Sequence, residues 1–433
     1  MALGALVVLL VAFPARARDQ VQGVFEGSAG YTDNTQSTPE NPPPGIDSPH
    51  ADLFGIVSPG IVYAIETPSQ LHRFSYTYAL SLFFRDSDAT SSTNRLEYSS
   101  IFETSPHSQL ILGATAMQAH QHTAGTLTTS ANTLTNAAIP GTGAFLGASL
   151  EQGFILEFAH DWRATQATGF ALYTPIRSDV DAPSTYAPSA RLGLERLFEW
   201  NAVGAEARAE YSFVKDAVGP HGEPIGNQEQ VIGTGLFRWR HDWGMWISSR
   251  AEAGAVEVWR LNTGKTYVGP VGGAALAYTR EDAEGALEYS HLVTTNVLLA
   301  QTILADEVRL HGTLPLHKKP DAFVGASAAY SNGRIIDENG DLATDLDVLL
   351  LDFTVGYEPE DELLLALRYQ HIDQVGADVP PLPLSFVRNT VMLTARFTIP
   401  REEDMPRRYR APLRVDGTDT VRALGAPDRM ERR

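Results

Sequence analysis

The chain has 433 residues, a formal net charge of −19 and no cysteine. The missing cysteine excludes a disulfide scaffold, a thiolate zinc site, thiol catalysis and a lipid-modified N-terminal cysteine. The acidic balance argues against a nucleic-acid partner, because such a partner needs a basic surface. Hydrophobic residues make up 43% of the chain, which is near the globular average and argues against disorder throughout.

Residues 1–17 have the pattern of a secretory signal peptide. An apolar run at residues 3–13 is too short to span a bilayer as a helix. It is followed by Ala15-Arg16-Ala17, which is an Ala-x-Ala cleavage pattern. The sequence therefore predicts export and cleavage after Ala17. The mature chain would carry −20, since residues 1–17 hold one basic residue and no acid.

Residues 18–399 alternate between apolar and polar side chains with a period of two. The clearest stretch is 71–85, and the stretches 203–213 and 391–399 repeat the pattern. Successive side chains of a strand point to opposite faces, so this pattern predicts strands with one apolar and one mostly polar face. Pro59 and Pro270 interrupt two candidate strands, although proline is expected only at strand ends, edges or bulges.

Two further features predict a transmembrane barrel rather than a soluble sandwich. The candidate strands are about 10–15 residues long, whereas strands of soluble proteins cluster near 5–6 residues. Many apolar faces also end in an aromatic side chain, as expected where a membrane barrel meets the lipid headgroups. These aromatic residues are Tyr31, Tyr63, Tyr211, Tyr289, Tyr357 and Tyr369.

The connections alternate between short and long, which is the third feature. Short turns are predicted near residues 66–70, 104–108, 151–153, 198–202, 241–243, 281–284, 317–321 and 358–362. Long loops are predicted near 34–50, 86–94, 119–140, 165–187, 214–229, 259–265, 296–305, 334–343 and 374–384. The sequence therefore predicts an all-β, antiparallel transmembrane barrel over residues 18–399. It would have about eighteen strands (16–18), short periplasmic turns and long extracellular loops.

An even strand count places both termini in the periplasm. Residues 400–433 carry nine arginines, seven acids and several prolines and glycines. Such a composition cannot form a core, so we expect a disordered periplasmic tail. Phe397 would serve as the terminal aromatic residue of the last strand, and the barrel-assembly machinery and outer-membrane lipid are expected partners.

The predicted inner face carries charges of both signs. Such a wall suits a hydrated channel, but the same side chains could instead form ion pairs that rigidify the barrel. Ten arginines against five glutamates predict a locally basic constriction that favours anionic solutes. Loops 119–140 and 165–187 are the candidate inward-folding constrictions. The predicted pore-lining residues are Arg73, Arg85, Arg95, Glu97, Glu206, Arg208, Glu210, Arg238, Arg240, Arg250, Glu252, Glu307, Arg309, Arg368 and Arg396.

The sequence predicts no enzyme, no cofactor and no metal site. His120-Gln121-His122 lies in a predicted loop without a carboxylate at useful spacing, and no nucleophile motif accompanies His160-Asp161. Acidic residues around Asp345 do not match a calcium-binding loop. The histidine loop and the acidic residues are interpreted as solvated groups, and His160-Asp161 is interpreted as a pairing at the barrel rim.

The alternation of long loops and short turns over residues 20–399 resembles Gram-negative outer-membrane porins. The run 56–63 and the hairpin 67–70 are similar to repeats in large outer-membrane barrels, including porin-like proteins of polysaccharide export. The resemblance implies an outer-membrane channel for polar solutes or an exported polysaccharide. The alternative is a structural or adhesive barrel with a closed lumen and surface loops that bind partners. An outer-membrane enzyme is disfavoured by the missing nucleophile.

Overall fold

The computed structural model describes residues 18–35, 37–38, 40, 48–120, 144–159, 161–177, 184–218, 224–280, 283–296, 301–318, 321–336, 341–360, 362–376, 378–379, 382–383 and 385–399. The predicted signal peptide and the predicted tail lie outside these residues. The long strands are β1 Arg18–Thr32, β2 Asp52–Thr67, β3 Gln70–Phe83, β4 Ser91–Ser105, β5 Ser108–His120, β6 Ala144–Phe158, β7 Trp162–Arg177, β8 Ser184–Leu197, β9 Asn201–Val218, β10 Pro224–Asp242, β11 Ile247–Arg260, β12 Thr266–Arg280, β13 Ala283–Asn296, β14 Gln301–Lys318, β15 Asp321–Ile336, β16 Leu342–Glu360, β17 Leu363–Val375 and β18 Phe386–Ile399.

These eighteen strands form one antiparallel sheet that closes on itself. Strand β1 pairs with β2 on one side and with β18 on the other, so the described sheet has no free edge. A short 3₁₀ turn at Ser87–Ala89 and a small hairpin of Asp378–Val379 with Leu382–Pro383 complete the described elements. Within the described ranges, no helix has the length and apolar character needed to cross a membrane.

The alternating sequence pattern forms the two faces of this barrel. Along β1, Val21, Phe25 and Tyr31 are exposed, whereas the intervening Gln22 and Ser28 are buried. The exposed apolar side chains form the outer face, and the polar side chains between them point to the interior. Strands of 13–19 residues exceed the roughly 9–11 residues that cross a hydrocarbon core, so they extend beyond it.

The two ends of the barrel differ in their connections. At one end, called the short-turn end, residues such as 68–69 and 243–246 connect neighbouring strands through two to four residues. At the other end, called the long-loop end, the connections include 33–51, 84–90 and 121–143. The predicted alternation of short and long connections and the strand count are confirmed.

Two predicted connections are wrong. Residues 151–153 lie inside β6, and Gly153 is paired with Ile111 on one side and Ala167 on the other. The turn after β6 instead uses Ala159, which adopts a φ of 50° although it is neither glycine nor asparagine. The segment 165–187 is mostly strand, belonging to β7 and β8, so it is not an inward-folding loop.

Polar residues on the outer face of β6 and β7 explain why the sequence pattern did not predict strands over residues 165–187. Gln152, Gln166 and Thr168 share this face with leucines and phenylalanines, which breaks the apolar alternation. They satisfy one another, because Gln152 Nε2 donates to Gln166 Oε1 at 3.0 Å and Thr168 Oγ1 donates to Gln152 Oε1 at 3.0 Å. Paired amides and hydroxyls cost far less away from water than unpaired ones.

Both prolines are accommodated inside strands. Pro59 faces Phe25 of β1, and the pairing of β2 with β3 is interrupted between Val57 and Gly60. Proline has no N–H, so the ladder loses one bond there without ending the strand. Pro270 lies opposite Ala255 on the outer face of β12.

Tyrosines at the long-loop end of the outer face are held by the neighbouring strand. Tyr289 Oη donates to Asp306 Oδ1 at 2.8 Å, and Tyr330 Oη donates to Asp347 Oδ1 at 3.0 Å. Tyr369 Oη donates to Asn389 at 2.8 Å. Rings with an apolar body and a bonded polar end suit a membrane–water interface.

Candidate functional site

Fourteen of the fifteen predicted pore-lining residues lie on the inner face. Strand register shows this, because residues directly opposite one another point to the same side of the sheet. The fourteen are Arg73, Arg95, Glu97, Glu206, Arg208, Glu210, Arg238, Arg240, Arg250, Glu252, Glu307, Arg309, Arg368 and Arg396.

Arg85 is the exception, because β3 ends at Phe83. The carboxylate of Asp52 accepts backbone N–H bonds from Leu53, Arg85 and Asp86 at 2.8–2.9 Å. These bonds hold Arg85 and Asp86 in the connection 84–90, outside the strand. Arg85 is therefore exposed at the long-loop end rather than placed on the wall.

Further charged residues that the sequence pattern did not predict lie on the inner face. The segments that contain them alternate less clearly between apolar and polar residues than 71–85, 203–213 and 391–399. Only strand register assigns their side chains to the inner face. Glu26, for example, lies directly opposite Arg396. These residues include Glu26, Glu151, Glu157, Arg163, Arg191, Glu195, Arg260, Glu288, Asp352 and Arg388.

A buried carboxylate lies at the centre of the β8–β11 wall. Glu206 is only 2% exposed and forms an ion pair with Arg208, two residues along the same face. Its second oxygen accepts from Arg238 Nη1 at 2.6 Å. Arg238 also lies 3.8 Å from Glu195 and 3.7 Å from Glu252. These five side chains form one network, called the Glu206 network.

Ion pairs recur around the rest of the wall. Neighbours two residues apart share a strand face, which explains the pairs Arg95–Glu97 and Glu307–Arg309. Pairs between strands join Arg368 to Asp352, Arg163 to Glu157 and Arg250 to Glu288. The wall is thus more balanced than ten arginines against five glutamates suggested, because several partners are acids that the sequence analysis missed.

At two positions on the inner wall, an arginine lies directly opposite another arginine. Arg191 lies directly opposite Arg208, and Arg240 lies directly opposite Arg250. Like charges directly opposite on one face of a sheet are destabilising. Arg250 reaches Glu288 only at 3.8 Å, and Arg240 has no ion-pair partner among the described residues.

In five of the nine inner pairs of the described residues the carboxylate is less exposed than its arginine, whereas Arg163 is the less exposed partner of Glu157. Among these five, the contrast is largest in the Glu206 network, where Arg208 is 28% exposed above the almost fully buried Glu206. The same order holds for Arg309 above Glu307 and for Arg368 above Asp352. A solute in the lumen would therefore meet guanidinium groups before carboxylates along these parts of the wall.

The structure describes only part of the histidine and acidic groups that the sequence singled out. His122 and His160 lie outside the described residues, as do the side chains of His120 and Asp345. Asp161 forms an ion pair with Arg196 at 3.0 Å at the short-turn end. No cluster of three histidine, aspartate or glutamate side chains suited to a metal occurs in the described part of the chain.

No protein-family model matches the chain, and no curated protein is similar to it in sequence. Solved structures do match the barrel over most of its length. Pseudomonas aeruginosa OccK2 (OpdF), in complex with glucuronate, has a TM-score of 0.44 and 8% identity, covering 89% of this chain and 99% of its own.

The outer membrane protein OpdK of the same organism has a TM-score of 0.42 and 9% identity, covering 90% and 100%. OccK9 (OpdG) of that organism has a TM-score of 0.44 and 11% identity, covering 88% and 98%. At such identities the likeness is one of fold alone.

Proposed function

We propose that this protein is an outer-membrane channel that passes small polar solutes and prefers anionic ones. The closed barrel, its apolar outer face and its charged inner face support a hydrated passage across a membrane. In this proposal the long-loop end is extracellular and the short-turn end is periplasmic. Barrels of this size leave an aqueous interior unless protein fills it.

The preference for anions rests on one observation, the opposed arginines of the β8–β11 wall. A carboxylate or phosphate between Arg240 and Arg250 would relieve their repulsion, and guanidinium groups bind such anions through paired N–H bonds. Glu206 is already engaged by Arg208 and Arg238, and Glu288 reaches Arg250 only at 3.8 Å, so both acids compete weakly. An exported acidic polysaccharide would have the same charge, but no feature of the described residues favours a polymer over a small solute.

Reversal potentials across a KCl gradient in a planar bilayer test this proposal. The wild-type channel should prefer chloride, and Arg240→Gln combined with Arg250→Gln should weaken that preference. Arg196→Gln combined with Arg280→Gln is the matched control, because it also removes two positive charges, both at the short-turn end, where Arg280 lies over the Trp246 ring. A cation preference, or equal selectivity in wild type and the double variant of Arg240 and Arg250, would refute the anionic preference.

A second candidate function is a structural barrel whose lumen is closed. The start of β14 favours it, because residues there are buried on both faces and so occupy part of the interior. Folded, purified protein that never conducts in a bilayer would support this candidate and overturn the channel.

A further inference from the structure

The first residues of β14 are buried on both faces of the sheet. Thr302, Ile303, Leu304 and Ala305 are 0–3% exposed, although consecutive strand residues point to opposite faces. Further along the same strand, outer-face residues such as Leu310 are widely exposed. Burial on both faces means that a second layer of protein covers this end of the strand.

Hydrogen bonds identify that second layer. Gln230 Nε2 of β10 donates to Thr302 Oγ1 of β14 at 2.5 Å, and Thr295 Oγ1 of β13 donates to Glu210 Oε1 of β9 at 3.1 Å. Each contact joins strands four spacings apart, which is about 19 Å along the wall at roughly 4.8 Å per strand. The sheet must therefore overlap itself at the long-loop end.

The faces in contact show which part lies inside. Thr295 and Thr302 are directly paired and lie on the same side as Tyr289 and Val308, which is the outer face. Gln230 lies on the inner face of β10, opposite Arg260. The outer face of β13–β15 thus rests on the inner face of β9–β11. We call the overlapping residues 292–296, 301–305 and 334–336 the inner layer.

Apolar side chains fill both sides of the inner layer. Ile336, at the end of β15, is fully buried in a cluster with inner-face residues of β10–β12, and Val293 packs against it. The partners of Ile336 there are Ile232, Leu236, Val256, Val258 and Val271. On its other side the layer contributes Ile303, Ala305 and Ile335 to a cluster with Leu346 and Val348 of β16.

Arg260 fixes the end of the inner layer. It lies at the end of β11 and is 5% exposed, and its Nη2 donates to the backbone carbonyl of Ile336 at 2.5 Å. Its Nη1 donates to Gln228 Oε1 at 3.2 Å, which orients the guanidinium group from its own side of the overlap. A charged donor to a backbone carbonyl is a strong contact in a buried place.

We propose that the inner layer sets the size limit of the channel, with Arg260 and the Ile336 cluster as the residues that hold it in the lumen. The inference rests on the proposed channel function. A strand layer inside the barrel removes cross-section that the eighteen strands would otherwise enclose. It lies at the long-loop end, away from the Glu206 network, so size selection and charge selection occupy different depths of the lumen.

Release of the layer tests this role. Arg260→Ala combined with Ile336→Asp removes the carbonyl contact and places a charge in the apolar cluster. We expect higher single-channel conductance and, in liposome swelling, entry of neutral sugars that wild type excludes. Arg163→Ala with Ile155→Asp is the matched control, because both are buried inner-face residues near the short-turn end. This control should keep the wild-type exclusion limit.

A second measurement does not depend on the release variant. The chain has no cysteine, so Gln230→Cys with Thr302→Cys provides a single thiol pair across the overlap. A short bismaleimide should join the two thiols in the folded barrel and leave wild-type conductance unchanged. Added to the release variant, the cross-link should abolish its gain.

The possible failures are distinguishable. A wild-type exclusion limit in the folded release variant, or no cross-link in the folded cysteine pair, would overturn the size-limiting role while the channel stands. If the cross-link forms but no variant conducts, the channel function itself is overturned, and the size-limiting role with it.

Discussion

Neutralising Glu206 should destabilise the barrel and make the lumen more basic. Glu206→Gln keeps the shape of the side chain but removes the negative charge shared by Arg208 and Arg238. Arg191, directly opposite Arg208, would then lose the nearby negative charge of Glu206. The change leaves several guanidinium groups close together on one patch of the wall.

The size of the stability loss in Glu206→Gln follows from the burial of the Glu206 carboxylate. Removing one partner of a buried ion pair costs about 3–5 kcal/mol, because the remaining charge stays uncompensated. Here the arginines keep 28% and 19% exposure, so water screens part of the repulsion. We therefore expect a loss of about 2–3 kcal/mol in the free energy of unfolding.

Urea unfolding in lipid vesicles, followed by the gel mobility of folded barrel, measures this loss. Glu195→Gln is the control, because Glu195 lies 3.8 Å from Arg238, and its removal should cost less than about 1 kcal/mol. Glu206→Gln should also strengthen the chloride preference in a KCl gradient. Equal stability of the two variants would show that the Glu206 network does not hold this wall.

Two further substitutions test the assignment of faces and the closeness of the sheet. Leu150→Arg places a charge on the outer face near the middle of β6 and should cost about 2–4 kcal/mol on folding into vesicles. Ser149→Arg, on the inner face, should change the folding free energy little. Equal folding of the two variants would mean that the two faces are exchanged. Gly254→Ala should destabilise by about 1–3 kcal/mol, since the added Cβ would lie 1.8 Å from the carbonyl oxygen of Gly235. Gly233→Ala has open space around its Cβ and should be tolerated, and comparable urea midpoints for the two alanine variants would contradict the close approach.

Strand length, terminal aromatic residues and the alternating connections predicted the barrel class and the strand count, and the period-two pattern predicted the inner face of most charged residues. Side-chain alternation is a local property of an extended chain, so it is readable without knowing which strand lies beside which. The prediction of connections failed where the residue type did not match the backbone conformation. Gly153 is typical of a turn but lies between two paired strands, and Ala159 turns without a turn residue.

Ion pairing on the wall depended on register. The sequence placed Arg368 and Arg250 on the inner face, but their partners Asp352 and Glu288 lie on other strands. Opposed pairs such as Arg240 and Arg250 are likewise a consequence of alignment between strands. A shift of one residue would exchange the faces and undo each of these contacts.

Only the tertiary structure revealed the inner layer. Its contacts join Glu210 to Thr295 and Arg260 to Ile336, residues that are 85 and 76 positions apart in the chain. The run Ile303-Leu304-Ala305 departs from alternation, but a short apolar run does not show what covers it. The sequence determined two faces for most strands, because that choice is made residue by residue. Where the sheet overlaps itself depends on how eighteen twisted strands close, and that is a property of the whole barrel.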